Sequence, residues 1–252
     1  MNRALAAAAS DMSAQEQQLD VIADNLANAD VAGFKSSVMT FRAVSDGEHG
    51  LGTVVVGKDA VWRQGKLVKS GGPFDIAIDG TGFFTLRRPD GTRGYTRDGE
   101  FSRAADGSVR NAAGAVLEGV HIPATALRLS VATDGRVFVD TPDAAHVGAG
   151  RIALAAFPAP QNLVRTPEGA YLATHAAGRA FAVFPGSAQS GRLMFGMLER
   201  SNVNVMESMM EILSAQRAFE ANSKGVQAAD ESKRALKAVL LRRVDPGRAV
   251  VS

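Results

Sequence analysis

Two apolar stripes with a seven-residue step stand at the ends of the chain. The first is Leu5, Met12, Leu19 and Leu26 with Ile22 beside it; the second is Leu198, Val205, Ile212, Phe219 and Val226, joined by Met209, Ala215 and Ala229. A helix turns once in about 3.6 residues, so a step of seven draws a narrow seam that wants another helix laid along it, not a broad face for a globular core. The pattern predicts a first helix from about residue 2 to Asn28, stopping near Gly33, and a last helix opening at Asn204. Asn204 is a good N-cap, Glu207 sits three positions on as in a capping box, and Asp245-Pro246-Gly247 supplies a stop. Gly225 inside this helix costs about 1 kcal/mol relative to alanine. Its small neighbours Ala218, Ala221, Asn222 and Ser223 suit close approach of another backbone, with a kink as the alternative. Isolated helices of such length are marginal in water, so both ends are expected to gain order from partner helices.

Between the seams the period changes. Asp-Gly occurs at 46, 79, 90, 98, 106 and 134, and this pair supplies the positive φ of tight hairpin turns. Short apolar runs lie between: Phe74–Ile78, Phe83–Leu86, Tyr95–Arg97, Leu127–Leu129, Val137–Val139 and Ile152–Leu154, with others near Tyr171 and at Ala180–Phe184. Segments 42–52 and 141–150 read as loops. The expected fold is mixed and mainly β: a glycine-rich antiparallel β middle domain flanked by N- and C-terminal helices that act as coiled-coil-like assembly arms. The segments are 1–36, first helix; 37–72, extended linker or β segment; 73–190, β-rich middle domain; 191–243, last helix; and 244–252, tail.

Charge refines the picture of the ends. Residues 1–32 hold five acids against Arg3, and residues 200–243 hold eight bases against five acids, so the two helices carry opposite signs that favour pairing within or between subunits, with two unrelated solvated faces as the equal alternative on charge alone. Over all 252 residues the formal charge is only +2, too small for a nucleic-acid field. The absence of cysteine excludes disulfides and thiol chemistry. The apolar run at the start breaks at Ser10-Asp11, short of a signal peptide, and no stretch is long enough to span a membrane.

Catalytic equipment is sparse. His49, His121, His146 and His175 lack metal-pair spacing, and there is neither a Gly-x-Ser-x-Gly elbow nor a phosphate loop. Gly80-Thr-Gly82 is followed by strand-like Phe83-Phe84 where a dinucleotide fingerprint needs a helix. Asp75, Asp79, Asp90 and Asp98 sit mostly at turns, where aspartate serves local hydrogen bonding. Trp62, Met206, Met209 and Met210 read as core or helix-interface material. No catalytic residue, cofactor or metal is expected.

Three stretches resemble the flagellar basal-body rod and hook family of axial proteins. Asp20-Val-Ile-Ala-Asp-Asn-Leu-Ala-Asn28 with Gly33-Phe-Lys35 is similar to the amino-terminal rod signature. Asp75–Phe84 with Tyr95–Gly99 and Phe101 is similar to the start of the family's β domain. Leu198–Asn204 with Gln216–Lys224 is similar to the carboxy-terminal signature. The signature residues are Asn25, Leu26, Asn28, Gly33, Phe34, Ser201, Asn202, Asn204, Gln216, Arg217 and Asn222.

The resemblance implies a structural subunit of the bacterial flagellar rod, exported without a cleaved signal peptide by the flagellar export apparatus. Such subunits polymerise into a hollow helical shaft that crosses the periplasm and carries torque to the hook. Its partners would be copies of itself and other rod and hook subunits, with no nucleic acid and no membrane insertion. The assembly interface would be Leu5, Met12, Leu19, Ile22, Leu26, Val205, Met209, Ile212, Phe219 and Val226. Ser201–Asn204 and Gln216–Lys224 resemble the distal rod type; the short link from Phe41 to Val61 is closer to the proximal type. A secreted β-rich adhesin or fibre with coiled-coil ends is the alternative of another class.

Overall fold

The computed structural model describes residues 2–46, 49–188 and 190–244. The tail read at 244–252 and the Asp245-Pro246-Gly247 stop lie outside the described residues, save Val244. The chain forms two compact units. Unit one comprises the described residues up to Asp24, Val38–Lys58 and those from Val205 on; unit two comprises Asn25–Ser37 and Asp59–Asn204.

Unit one is built from helix α1 (Asn2–Ala27), strands β1 (Ser37–Asp46) and β2 (His49–Ala60), which pair with each other, and helix α2 (Val205–Val244). Both helices stand on the apolar period, but the second starts later than the stripe: Leu198 lies in a strand (Met197–Glu199) paired with Leu67–Lys69, so the helical segment read at 191–243 is corrected to begin at Val205. The loop expected over 42–52 is corrected: its described residues belong to the two paired strands. The β-branched run Thr53–Val56 favours extended backbone, and lying on α1 overrides the turn-like composition before it. Gly52 shows why glycine stands there. At φ +107° its Cβ would overlap the Ser10 hydroxyl, which accepts a hydrogen bond from Thr53 N at 3.2 Å and donates one to Ala7 O at 2.8 Å. Farther along, Lys58 Nζ meets Asp24 Oδ2 at 3.1 Å. Helix α2 passes through Gly225 without interruption, and a Cβ there would meet nothing within 4 Å, so among the described residues no other backbone makes the close approach read at this glycine.

Unit two is a curled antiparallel sheet. Its strands are β3 (Leu67–Lys69), β4 (Ile76–Asp79), β5 (Phe83–Arg87), β6 (Arg93–Thr96), β7 (Ser102–Arg103), β8 (Ser108–Arg110), β9 (Val116–His121) and β10 (Arg128–Val131). They continue with β11 (Arg136–Asp140), β12 (Val147–Arg151), β13 (Leu154–Ala156), β14 (Val164–Arg165), β15 (Tyr171–Leu172), β16 (Phe181–Val183), β17 (Arg192–Phe195) and β18 (Met197–Glu199). The main path runs β10-β11-β12-β9-β5-β6-β15-β14, and two pairs stand apart, β17 with β4 and β18 with β3. The loop read at 141–150 is corrected in its second half: β12 pairs with β11 around a bulge at Val137/Phe138 and uses the small residues Gly148, Ala149 and Gly150, whose weak strand propensity hid it.

Strand β5 is covered on both faces, because successive strand residues point to opposite sides. Phe84 and Leu86 enter a core with Ile76, Ile78, Leu117, Ile122, Val137, Ile152, Leu154 and Leu193. Phe83 enters a second core with Tyr95, Phe157, Leu163 and Tyr171. Trp62 closes that core edge-on, 5.0 Å from Phe83 and 4.9 Å from Tyr171 between ring centroids.

The Asp-Gly pairs at 90, 106 and 134 make the β5–β6, β7–β8 and β10–β11 turns, with Gly91, Gly107 and Gly135 at φ +82°, +81° and +88°. In each, the aspartate accepts the backbone N–H two residues on: Thr92 at 2.8 Å, Ser108 at 3.0 Å and Arg136 at 3.2 Å. Hydrogen bonds from the Ser108 hydroxyl and N–H hold the Asp106 carboxyl down at about 2. The pair at 98 makes no hairpin. There Gly99 lies so close to the Ile76 carbonyl that a Cβ would collide with it.

Candidate assembly surface and its anchor

Along α1 the deepest positions are Ala14, Val21, Ile22 and Asn25. Met12, Leu19 and Leu26 are half-buried and lie farther round the helix. Leu5 falls within α1, and its side chain is outside the described ones.

Helix α2 carries two apolar faces. Ser208 and Ala215 are buried, with Ile212, Asn222 and Val226 half-buried along the same line. About half a turn round the helix, Met206, Met210 and Leu213 stand 70%, 63% and 55% exposed, with Met209 and Val205 exposed at the margin. Phe219 lies near the buried line yet is exposed, and Gln216 and Arg217 are exposed polar positions. Within the predicted interface, then, Ile22 is covered, Met12, Leu19, Leu26, Ile212 and Val226 are partly covered, and Val205, Met209 and Phe219 are open. Met206 and Met210, read as core or helix-interface material outside the seven-residue seam, stand with Leu213, which the sequence pattern does not single out, on the far side of the helix from that seam.

The signature residues do something different. In unit two the segment leaving α1 and the segment ahead of α2 are tied into one polar knot. Asn25 mimics a strand partner: its Nδ2 donates to Ser37 O at 2.8 Å while its Oδ1 accepts from Ser37 N at 2.8 Å. Asn202 does the same work from the other segment, accepting from Ser36 N at 2.7 Å and donating to Val61 O at 2.8 Å and Arg63 O at 2.9 Å. Gly33 N donates to Glu199 O at 2.7 Å. Arg165 lies over the Phe34 ring at 4.3 Å and donates to Asn28 Oδ1 at 3.3 Å. Ser201 Oγ accepts from Val203 N at 3.3 Å, and Asn204 is exposed at the end of the unit.

At the centre of the knot a single buried carboxylate serves two buried cations. Glu199 pairs with Lys35 through Oε1, and Arg97 donates to Oε2 at 3.3 Å. Gly65 N adds a hydrogen bond to Oε1 at 2.9 Å, Lys35 Nζ also donates to Arg63 O at 3.0 Å, and Arg97 donates to Gly80 O. Burial draws the Lys35 ammonium and the Arg97 guanidinium below their ordinary values, although Glu199 pulls both the other way. Beside them, burial pushes the Tyr171 hydroxyl up to about 12. Glu199, Lys35 and Arg97 each stand in one of the three resembling stretches, but nothing in the sequence showed that they meet across 164 and 102 positions.

Among the described residues no group of histidines, acids or cysteines is placed to hold a metal, and no helix is long and apolar enough to cross a membrane. The arrangement supplies covered joints and open apolar helix surface.

Residues 5–35 match the family model "Flagella basal body rod protein", residues 77–139 the "Flagellar hook protein FlgE/F/G D1 domain", and residues 195–238 the "Flagellar basal body rod FlgEFG protein C-terminal". The chain is 33% identical to the flagellar basal-body rod protein FlgG of Borreliella burgdorferi, over 91% of this chain and 96% of that one. It is 32% identical to the FlgG of Agrobacterium fabrum over the same shares, and 31% identical to the rod protein FlgF of Caulobacter vibrioides over 89% and 92%.

Proposed function

The chain belongs to the flagellar basal-body rod protein family, and from that premise we propose that its copies polymerise through α1 and α2 into the shaft of the distal rod. Rod proteins of this family are structural subunits of the basal body and assemble there with other rod and hook subunits. The finer reading is that this chain has no catalytic role, enters by the flagellar export apparatus, and adds head-to-tail along a helical path. Such heterologous contacts do not close, so growth continues as a tube.

The observation that carries the reading is the pair of apolar faces on opposite sides of α2. Unit two keeps two complete cores of its own, whereas α2 leaves Met206, Met210 and Leu213 in the open. A helix apolar on both sides suits a packing in which it has neighbours in more than one direction, as a torque-bearing shaft requires. The residues proposed for the interface are those read from the seam: Leu5, Met12, Leu19, Ile22, Leu26, Val205, Met209, Ile212, Phe219 and Val226.

Sedimentation of the full chain at rising concentration tests it. A monomer when dilute that becomes polydisperse when concentrated is expected, and a fixed mass would favour the closed fibre. Leu19→Asp or Phe219→Asp should leave unit two folded and abolish polymerisation and motility. Normal filaments on cells carrying either variant would overturn the assignment.

A further inference from the structure

The chain has eight methionines and no cysteine. Met12, Met39, Met194 and Met197 are half-buried, whereas Met206, Met209 and Met210 are exposed, at 70%, 48% and 63%. These three fall at i, i+3 and i+4 on the first two turns of α2, so their thioethers form one patch continuous with Leu213. Thioether oxidation follows access, and no thiol in this chain competes for the oxidant.

We infer that Met206, Met209 and Met210 form an oxidant-sensitive modification site that controls whether a free subunit can assemble. The inference rests on the assembly reading of α2 given above. The co-reactant is a peroxide. One oxygen atom passes from peroxide to each sulfur: the S–O bond forms as the O–O bond breaks, the sulfur is oxidised to the sulfoxide, and hydrogen peroxide is reduced to water. Each event turns a flexible apolar side chain into a polar one with a strong acceptor. On the free helix that change costs little, because the side chains already face water. Against a neighbouring helix it leaves an acceptor without a donor, which destabilises the contact. Reduction by a methionine sulfoxide reductase with a thiol reductant restores the thioether and releases the oxygen as water. Assembly itself covers the sulfurs, so the sensitive period is the one before incorporation.

The experiment has two readouts. In the first, the dilute full chain is treated with hydrogen peroxide and sulfoxide is mapped by peptide mass spectrometry, alongside isolated basal bodies treated identically. Met206, Met209 and Met210 should oxidise roughly tenfold faster than the four half-buried methionines in the free chain, and should be protected in basal bodies. Equal rates at all seven, or equal rates in free and assembled protein, overturn the inference.

In the second readout, sedimentation compares treated and untreated chain with the Met206→Leu/Met209→Leu/Met210→Leu variant. Oxidised wild type should need a roughly tenfold higher concentration to polymerise, with recovery after reductase treatment, while the leucine variant, measured against its own untreated sample, shows no shift on peroxide treatment. Undiminished polymerisation of fully sulfoxidised wild type overturns the inference and leaves the rod assignment standing. Loss of assembly in the treated leucine variant places the sensitivity in other methionines and overturns it too. Failure of untreated wild type to polymerise at any concentration removes the assembly reading itself.

Discussion

Lys35 and Glu199 stand 164 positions apart and meet in an ion pair in which neither side chain reaches solvent. Between them they join the amino-terminal signature to the carboxy-terminal one. Arg97 shares the same carboxylate, so one anion is the counter-charge held in common by two buried cations, and the joint depends on Glu199 more than on either base.

That asymmetry sets the first prediction. Glu199→Gln leaves two buried cations without a counter-charge and should lower the stability of unit two by about 3–5 kcal/mol, whereas Lys35→Met keeps the Arg97 pair and should cost less. Urea midpoints of the two variants measure the order. A larger loss for Lys35→Met would refute the central role of Glu199.

Gly33 gives a second prediction. Its φ is +67°, and a Cβ would overlap the Arg97–Asp98 backbone; Gly169 has φ +83° with nothing within 4 Å of its Cβ. Both alanine variants incur the left-handed penalty of about 1–2 kcal/mol, but only Gly33→Ala also forces two backbone segments apart. Thermal melts should therefore show Gly169→Ala mildly and Gly33→Ala severely destabilised. Equal shifts would show that the contact yields without cost.

The third concerns pH. Burial raises the Asp98 carboxyl from its ordinary 3.8 to about 6, against the opposing hydrogen bond from Glu100 N. In the unfolded chain the proton leaves near 3.8, in the folded chain near 6, so folding takes up a proton between these values. Stability then falls as pH rises through that window and stays lower above it, by up to about 3 kcal/mol at 1.36 kcal/mol per unit. Asp98→Asn should flatten the slope between pH 4 and 6 and raise stability at neutral pH. An unchanged slope in denaturation curves would assign the pH response to another group.

Fourth, the two signature asparagines hold neighbouring amides: Ser36 N reaches Asn202 Oδ1 at 2.7 Å and Ser37 N reaches Asn25 Oδ1 at 2.8 Å. Removing a partner from a buried donor costs about 1–3 kcal/mol. In hydrogen exchange, Asn202→Ala should expose Ser36 first and Asn25→Ala should expose Ser37 first. Uniform loss across unit two from either variant would indicate general unfolding instead of a local joint.

Much of this was legible in the chain. From Leu5 and from Val205 onward the two helices lie where a seven-residue apolar step puts them, since helical period is a local property, whereas Leu198 fits the step and is strand. The turns at 90, 106 and 134 follow because aspartate bonds its own backbone two residues on and glycine accepts positive φ. Asp98-Gly99 has the same two letters and turns no hairpin, because Gly99 is used instead for a close approach to Ile76. The parts of β1 and β2 within 42–52, and β12, escaped for a related reason. Their pairing partners, and for Gly52 the neighbouring helix, outweigh a composition that favours loops.

By itself, then, the sequence determined the period of its ends, the chemistry of its turns and, through three matched stretches, its family. Those depend on neighbours within a few residues or on residue order. Tertiary structure alone decided which apolar side chains of α2 stay open, and which acid joins the two signatures. Coverage and charge neutralisation are set by what lies across space, and Glu199 acquires its role only when folding brings Lys35 and Arg97 out of water to the same two oxygens.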